Sequence, residues 1–431
     1  MQILDLKNKI GTASLEDLGL GRPVVDDGKL EKIVLKILKK VRGRGDSAIR
    51  SYTQLLDGVR VKKLAVTEKE IQEADKLVSE ELKNAIRLAA SNIRRFHEAQ
   101  VNRTGLIEMM PGVECWSRSV PIERVGLYIP AGSAPLFSSL LMLGIPATIA
   151  GCDQITLCTP PDKEGKVHPA ILFSAALIGI TKIFKCGGAQ AIAAMAYGTE
   201  SIQRAYKIFG PGNRFVTMAK QLVLKDGVSI DMPAGPTELL VYADDESNPV
   251  FVAADLLSQA EHGADSQVIL VGSRESVVRS VRLELDKQLE TLPRKEIAEK
   301  SLINSKAVLV EDDSEAIKLI NAYAPEHLIL NCTNADALAT KVINAGSVFI
   351  GNYSPESAGD YASGTNHVLP TNGYARTYSG VSVDSFVKKI SYQKITEEGL
   401  KKIGPAIELM AAAEGLEGHK RAVELRLKGK A

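Results

Sequence analysis

The sequence lacks any apolar run long enough to cross a membrane. A helix that spans a bilayer needs about 18 or more apolar residues, and the longest apolar segment, 136–150, is interrupted by Ser, Gly, Pro and Thr. That segment is typical of a buried helix. The first residues also lack the basic-then-apolar order of a secretory signal peptide. We therefore expect a cytoplasmic protein with no membrane partner.

The sequence also lacks an excess of charge of either sign, with 53 Lys and Arg against 52 Asp and Glu. A nucleic-acid partner would favour a basic patch and a high pI, so we expect no nucleic-acid partner. The chain of 431 residues is too long for a single hydrophobic core, which predicts two or more domains.

Cysteine is scarce, and no two cysteines form a CxxC pair. The odd number and the apolar surroundings of most of them indicate reduced thiols packed as small hydrophobic residues. This pattern favours neither a disulfide framework nor a cysteine zinc site. The five are Cys115, Cys152, Cys158, Cys186 and Cys332.

The hydrophobic pattern divides the chain into five parts. Residues 1–25 form a short segment expected to pack with the C-terminal part, and 26–120 have apolar residues at helical spacing. In 121–235 and 236–380, short β-branched runs alternate with helical stretches, which predicts two α/β layers with mostly parallel sheets. Residues 381–431 are expected to be a helical tail with too little apolar surface to fold alone, so it must dock on this chain or a partner.

Two short motifs combine histidine with an oxygen donor. Gln259 and His262 are three residues apart on an expected helix, so both would project from one face as part of a metal site. A polar helix end explains the same pair. Glu326 and His327 stand directly before an apolar strand, where they would form an acid/base pair. The alternative is a solvated pair at a strand entrance.

Two further motifs lie nearer the C-terminus. Asp360 and His367 belong to a long Gly- and Ser-rich stretch, which we expect to be a functional loop. Asp360 is a suitable zinc ligand, and His367 suits metal or substrate. Glu414 and His419 flank a Gly-rich break in the tail, where a solvated helix is the simpler interpretation.

Nucleotide binding has no strong motif, because GxGxxG followed by an acidic residue is absent. Three Gly/Pro turns follow expected strands: YIPAG, GGAQA and FGPGN. Each could present backbone N–H groups to a pyrophosphate. Each is also an ordinary βα turn in which glycine permits the backbone angle.

Taken together, these segments resemble the histidinol dehydrogenase family over essentially the whole chain. The segments that carry the resemblance are VGLYIPAGSAPLFSSLLMLGIPA, CGGAQAIAAMAYGT, FGPGN, IDMPAGPTE, LLSQAEHG, APEHL, GDYASGTNHVLPT and EGLEGHK. The resemblance implies two incomplete Rossmann-like domains, similar to those of aldehyde dehydrogenases, plus two small domains. It also implies an intertwined homodimer in which the C-terminal tail crosses to complete the partner's site.

The resemblance assigns roles to individual residues. It implies one zinc ion per subunit on Gln259, His262, Asp360 and His419, with Glu326 and His327 as the acid/base pair. NAD would be held by Tyr128, Gln190 and Asn213. The substrate would contact Thr237, Gln259, His262, His327, Asp360, His367, Glu414 and His419. Thr237 stands where relatives often carry serine, and its hydroxyl is retained.

The implied reaction is the oxidation of L-histidinol to L-histidine through L-histidinal, with two NAD and one water. His327 would accept the hydroxyl proton, and a neutral imidazole suits that role. Glu326 would help to activate water against the bound aldehyde. Zinc would orient the substrate through its imidazole and amino nitrogens.

Three other functions are weighed against this one. A paralogue could oxidise another amino or sulfonated alcohol, but His367, Glu414 and His419 complete the set expected for an imidazole and an amine. A thiolate aldehyde dehydrogenase needs a reactive cysteine at a strand end, and only Cys115 has polar neighbours. A non-catalytic binding protein would have no use for Glu326 and His327 beside four metal ligands.

Overall fold

The computed structural model describes residues 1–11, 14–22, 28–101, 105–131 and 134–429. Its strands fall into three sheets and are named here in chain order. They are β1 (Gln2–Asp5), β2 (Ile107–Met110), β3 (Val113–Pro121), β4 (Arg124–Tyr128), β5 (Gln154–Thr159), β6 (Lys182–Lys185), β7 (Lys207–Phe209), β8 (Ser229–Ile230), β9 (Glu238–Ala243), β10 (Gln267–Gly272), β11 (Lys306–Leu309), β12 (His327–Asn331), β13 (Ser347–Ile350) and β14 (Val387–Ile395).

The helices cover the faces of the sheets or form the two ends of the described chain. They are α1 (Gly28–Leu56), α2 (Glu68–Leu77), α3 (Glu80–Glu98), α4 (Phe137–Ala150), α5 (Pro169–Leu177), α6 (Gly188–Tyr197), α7 (Arg214–Leu224), α8 (Pro249–Ala260), α9 (Glu275–Leu289), α10 (Lys295–Asn304), α11 (Asp313–Tyr323), α12 (Ala335–Ala339), α13 (Glu356–Tyr361), α14 (Glu397–Ala413) and α15 (Glu417–Leu427). Within the described ranges, no helix is long and apolar enough to cross a membrane.

The first sheet is parallel throughout, in the order β6-β5-β4-β7-β8. Helix α4 packs in the core on this sheet, which confirms that 136–150 is a buried helix, and it tolerates Pro146 in its interior. Helices α1, α6 and α7 contact one another and share a second hydrophobic cluster beside the sheet. The strand order reverses between β4 and β7, and such a reversal opens a crevice beyond the carboxyl ends of the strands.

The second sheet is also parallel, in the order β1-β11-β10-β9-β12-β13. From β11 to β13 it repeats the order of the first sheet, and β1 adds an edge strand. Hydrophobic clusters cover both of its faces. The prediction of two α/β layers with parallel sheets is confirmed.

The third sheet, β14-β3-β2, is antiparallel and corrects two expectations. Segment 26–120, expected to be helical, contains β2 and nearly all of β3 after its three helices. The tail 381–431 begins with β14 before its two helices. Trp116 and Tyr392 stack across this sheet with ring centroids 5.4 Å apart. Charged residues interrupt the apolar residues of both long strands, so their pattern alone did not indicate a sheet.

Candidate functional site

A cavity of about 1340 Å³ lies between the carboxyl edge of the first sheet and the amino edge of the second. Its lining includes Gly210 and Asn213, which follow β7, and Thr237, which precedes β9. Glu326 and His327 contribute from the start of β12. The cavity therefore brings residues that are far apart in the sequence into one site.

Glu326 is buried at this cavity, contrary to the solvated alternative, with 6% of its surface exposed. Its Oε2 accepts hydrogen bonds from the hydroxyl of Thr237 at 2.5 Å and from the backbone N–H of Glu238 at 2.9 Å. Burial raises the pKa of Glu326 to about 7, although these donors and the charge of His327 oppose the shift. The carboxyl group is therefore poised to exchange a proton near neutral pH.

His327 lies among three carboxylates. Its Nδ1 is 3.6 Å from Glu326 Oε2 and 3.7 Å from Glu356 Oε1, and it donates to the Glu238 carbonyl at 3.2 Å. Its Nε2 is 3.7 Å from Asp360 Oδ1. Burial lowers the pKa of His327, but the negative charges of Glu356, Glu326 and Asp360 outweigh burial and raise it to about 10. The three carboxylates therefore favour a proton on the imidazole, and a cation held beside them would oppose that effect.

A nitrogen and two carboxylates near His327 could hold a metal ion. Ligand atoms of His262, Glu356 and Asp360 all lie within 4.8 Å of one another, and His262 Nε2 is 4.0 Å from Asp360 Oδ2. His262 is in the turn after α8 rather than inside it, and its backbone N–H donates to Gln259 O at 3.3 Å. Imidazole and carboxylate ligands suit zinc, so the donor set fits the implied metal.

Gln259 is fully buried beside this cluster. Its side-chain amide contacts the hydroxyl of Thr237 and the carboxylate of Glu356. With the amide nitrogen turned toward Glu356, the nitrogen donates to Oε2 at 3.1 Å and the amide oxygen accepts from the Glu238 N–H at 3.1 Å. The amide thus joins the acid/base side of the site to the metal-ligand side.

Asp360 lies on the short helix α13, which corrects the expectation of an irregular loop. Burial raises the pKa of Asp360, but its contact with His327 and the positive charges of His327, His367 and His262 outweigh burial and lower it. His367 donates from Nδ1 to the Asp360 carbonyl at 2.9 Å. Nε2 of His367 is then free to accept from the hydroxyl of Ser139, 2.9 Å away.

Glu414 and His419 are not brought to this cavity within one chain. Glu414 ends α14, His419 lies in the first turn of α15, and both are exposed. Neither residue lines the cavity. The other expected substrate and metal residues, Thr237, Gln259, His262, Glu326, His327, Asp360 and His367, all do.

The three residues expected to hold NAD lie at the carboxyl edge of the first sheet. Tyr128 ends β4 and accepts a hydrogen bond from the Gly188 N–H at 3.1 Å, and Gln190 lies in the first turn of α6. Asn213 caps α7 by accepting from the backbone N–H of Phe215 at 3.1 Å. Only Asn213 lines the cavity.

Two of the three Gly/Pro turns expected to follow strands can be placed at this edge. GGAQA follows β6 and FGPGN follows β7. Gly210 has φ +132, and a Cβ there would strike the backbone of Tyr128, so glycine permits the close approach of β4 and β7. Gly132 of the YIPAG turn lies outside the described residues.

Glu356 and Ser139 are site residues that the sequence reasoning missed. Glu356 is four residues before Asp360 on α13, a spacing that places two side chains on one helical face. That spacing could have identified Glu356. Ser139 lies in an apolar helix 228 residues before His367, and nothing in the local sequence signals their contact.

No cysteine of the described chain lines the cavity. Burial raises the pKa of the Cys152 thiol to about 11 and that of Cys332 to about 12. Burial also raises the pKa values of Cys158 and Cys186. These thiols resist ionisation, which is opposite to what a thiolate nucleophile requires.

Comparisons with known proteins agree over nearly the full length. The sequence matches the family model described as histidinol dehydrogenase over residues 20–427. A histidinol dehydrogenase of Bacteroides thetaiotaomicron is 60% identical over 408 residues, 95% of each chain. One of Xanthomonas campestris pv. campestris is 50% identical over 418 residues, 96% of this chain and 97% of the relative.

Solved structures give the same result. The crystal structure of histidinol dehydrogenase from Elizabethkingia anophelis has a TM-score of 0.96 and 53% identity, covering 99% of this chain and 98% of that one. An NAD-dependent aldehyde dehydrogenase from Sinorhizobium meliloti, 12% identical with a TM-score of 0.50, covers 85% and 87% of the two chains and shares the fold alone. The chain belongs to the histidinol dehydrogenase family, and it is an oxidoreductase of histidine biosynthesis.

Proposed function

We propose that the protein oxidises L-histidinol to L-histidine through L-histidinal, with NAD as the hydride acceptor and one zinc ion per subunit. The observation that carries the proposal is the meeting of the Glu326–His327 pair with Gln259, His262 and Asp360 in one cavity. Relatives up to 60% identical bear the name histidinol dehydrogenase.

Zinc would be held by Gln259, His262 and Asp360, and by His419 of a second copy of the chain. When bound, zinc would supply a positive charge that orients the substrate nitrogens and opposes the pull of the carboxylates on the His327 proton. Asp360 Oδ2, 4.0 Å from His262 Nε2, suits such an ion, and Gln259 would turn its amide oxygen toward Glu356 to join them.

His327 would act as the base in the alcohol step, accepting the hydroxyl proton at Nε2. This nitrogen is buried and has no hydrogen-bond partner within the described chain. Glu326 would act in the aldehyde step, where a carboxylate with a pKa of about 7 can take a proton from water. Thr237, which donates to Glu326, would keep that carboxylate aimed at the cavity.

NAD would lie along the carboxyl edge of the first sheet, held by Tyr128, Gln190 and Asn213. The FGPGN turn leads into the amino terminus of α7, whose N–H groups favour an anion such as a pyrophosphate. Gly210 and Asn213 also line the cavity, so a nicotinamide ring could reach the substrate from this edge.

The protein would be a homodimer whose tails exchange. The tail exposes several apolar side chains that one chain leaves uncovered: Leu409 at 74%, Met410 at 65%, Leu416 at 43% and Leu425 at 63%. A second copy would bury them and bring Glu414 and His419 to the other cavity. The site would then be closed around the aldehyde.

We further propose that the protein is cytoplasmic. All five cysteines are unpaired, which suits a reducing compartment.

The test of the reaction is NADH production with L-histidinol, L-histidinal and unrelated amino alcohols. We expect turnover of the first two only, loss of turnover on chelation, and recovery with added zinc. Equal turnover of an amino alcohol that lacks imidazole would contradict the proposed substrate.

The exchanged tail has a separate test by subunit complementation. Chains with His419→Ala and His262→Ala, each inactive alone, are mixed under exchange conditions. One site of each heterodimer then carries both changes and the other carries neither, so activity should return towards half of the wild-type value. Heterodimers that form but stay inactive would show that the tail serves its own chain.

A further inference from the structure

The carboxyl edge of the first sheet carries buried oxygen atoms that have no hydrogen-bond partner in the described chain. They are Oγ1 of Thr159, Oε1 of Gln190 and Oδ2 of Asp57. Thr159 ends β5, and Gln190 is 1% exposed at the start of α6. A buried acceptor without a donor is unfavourable. The set therefore points to a ligand that brings hydrogen-bond donors.

Asp57 reaches this edge through the segment that follows α1. Ala65 forms an antiparallel bridge with Phe184 of β6, and the Lys185 N–H donates to the Leu64 carbonyl at 2.7 Å. Because this segment runs opposite to β6, the residues that precede Leu64 lie beyond the carboxyl end of β6. Asp57 is thereby placed on the side where the GGAQA turn begins.

Further contacts agree with this position. A Cβ on Gly165, in the loop after β5, would lie 3.6 Å from Val59, two residues after Asp57. Burial raises the pKa values of the Tyr128 hydroxyl and the Cys186 thiol, and the negative charge of Asp57 raises both further. Asp57 is therefore close to the ends of β4 and β6.

The position of Asp57 is unfavourable for the fold itself. It follows the C-terminus of α1, where the helix carries partial negative charge, and the last turn of α1 contains no basic residue. Burial raises the pKa of Asp57 to about 6. Charges kept where local rules disfavour them are expected at functional positions.

We propose that Asp57 binds the adenosine ribose of NAD by accepting hydrogen bonds from its hydroxyls, and that it excludes NADP. This inference rests on the proposed use of NAD. In doubly wound folds an acidic residue binds the ribose 2′-hydroxyl. Here the second strand of the sheet is followed by two prolines and Asp162, whose Oδ1 accepts from the backbone N–H groups of Glu164 and Lys166. Asp57 supplies a carboxylate from a different segment. A 2′-phosphate would be repelled by it.

The test compares NAD, 2′-deoxy-NAD and NADP by calorimetric titration of the full-length protein. The variants are Asp57→Asn and, as a matched control, Asp153→Asn, which changes an exposed carboxylate before β5 at the opposite end of the sheet. We expect Asp57→Asn to weaken NAD binding roughly 10- to 100-fold, as for the loss of a charged hydrogen bond. NADP should bind the variant more tightly than it binds the wild type, and the control should match the wild type within about twofold.

The wild-type protein should also bind 2′-deoxy-NAD more weakly than NAD, whereas Asp57→Asn should bind the two ligands alike. Unchanged NAD affinity in a folded Asp57→Asn variant would overturn the proposal. So would a wild-type protein that binds NAD and 2′-deoxy-NAD equally, a comparison that needs no variant to fold. A wild-type protein that binds histidinol but no NAD would instead overturn the proposed cofactor, and the role of Asp57 with it.

Discussion

With the edge strand β1 left out, the first and second sheets share the strand order 3-2-1-4-5 counted along the chain, but different side chains and turns occupy their carboxyl edges. At the first sheet, the edge retains glycine turns and the unpartnered oxygens of Asp57, Thr159 and Gln190. At the second sheet, Asp244 Oδ2 accepts from the Thr333 N–H at 2.7 Å and from its hydroxyl at 2.8 Å. The crevice between β9 and β12 is thus bridged by the chain's own side chains.

The second sheet contributes chemistry from its other edge. Thr237, Glu326 and His327 lie at the amino ends of β9 and β12 and face the carboxyl edge of the first sheet across the cavity. Equal topology therefore does not dictate which edge becomes a site, because the side chains at each edge decide it.

The largest effect is expected at the amino edge of the second sheet. His262→Ala should remove zinc and activity together while the fold persists. Metal ions contribute several kcal/mol to transition-state stabilisation, on the order of a hundred- to ten-thousand-fold in rate. Metal content, circular dichroism and NADH production measure the three properties. His168→Asn, outside the cavity, is the control. Full activity with unchanged metal content in His262→Ala would refute the assignment.

An effect of similar size is expected for the two acid/base residues, which differ in the step they serve. His327→Asn should slow oxidation of both histidinol and histidinal, by about 10²- to 10⁴-fold for loss of a general base. Glu326→Gln should impair the aldehyde step much more than the alcohol step, because only that step activates water. Single-turnover assays with each substrate measure the two steps separately. Equal losses on both substrates for Glu326→Gln would contradict the division of labour.

The two carboxyl edges should also differ in how an aspartate substitution changes the free energy of unfolding. Asp244→Asn should destabilise the protein by about 1–3 kcal/mol, because its carboxylate accepts several hydrogen bonds. Asp57→Asn should instead stabilise the unliganded protein slightly, because it removes the charge from a half-buried side chain whose Oδ2 has no donor in the described chain. Chemical unfolding of both variants against the wild type measures the difference. Destabilisation by both variants would mean that the two edges are equally satisfied.

The pH dependence of stability should have opposite signs for these two residues. The pKa of Asp57 is raised by burial from 3.8 to about 6, so its contribution to stability falls as pH rises through that interval. Burial raises the pKa of Asp244, but hydrogen bonds from Thr333, Glu246 and Ser247 outweigh burial and lower it. Its stabilisation is therefore present above pH 3.8 and is lost as pH falls through its native pKa. The difference between each variant and the wild type should follow these directions.

The smallest effect on turnover is expected from replacing the cysteines. Cys158 lies in the first sheet, while Cys115 and Cys152 lie outside the cavity lining. Their replacement by serine or alanine, one at a time, should leave turnover within a few-fold. A loss of about a thousandfold for any of them, as expected for a nucleophile, would restore the thiolate mechanism.

Much of the fold could be predicted because its strands are short apolar runs bounded by Gly and Pro. The predicted alternation of short strands with helices is present in both α/β parts, since strands buried on both faces are strongly hydrophobic. The third sheet was missed because β3 and β14 are partly exposed, mix charged and apolar residues, and pair over more than 260 positions, Pro121 with Val387 being the nearest pair. Pairing at such distance leaves no local pattern.

The site was predictable where two functional residues are neighbours in sequence. The spacing of Gln259 with His262, and of Glu326 with His327, made each pair a candidate, although an ordinary polar helix end or strand entrance explained it as well. The burial of these residues could not be predicted, because it depends on how the second sheet faces the first. The same limit applies to the ion pair of Arg22 with Glu238, which joins residues 216 positions apart beneath the site.

The edge strand β1 is made long before the strand with which it pairs. Gln2 pairs with Lys306, which is 304 residues further along the chain. At synthesis rates of about 5–20 residues per second, β1 leaves the ribosome roughly 15–60 s before its partner strand exists. The first sheet, with all of its strands between 124 and 230, can close in the meantime. During that interval β1 is an unpaired strand with free N–H and C=O groups, and such strands invite pairing with other chains. We expect nascent chains of this enzyme to depend on chaperones until residue 309 has been made.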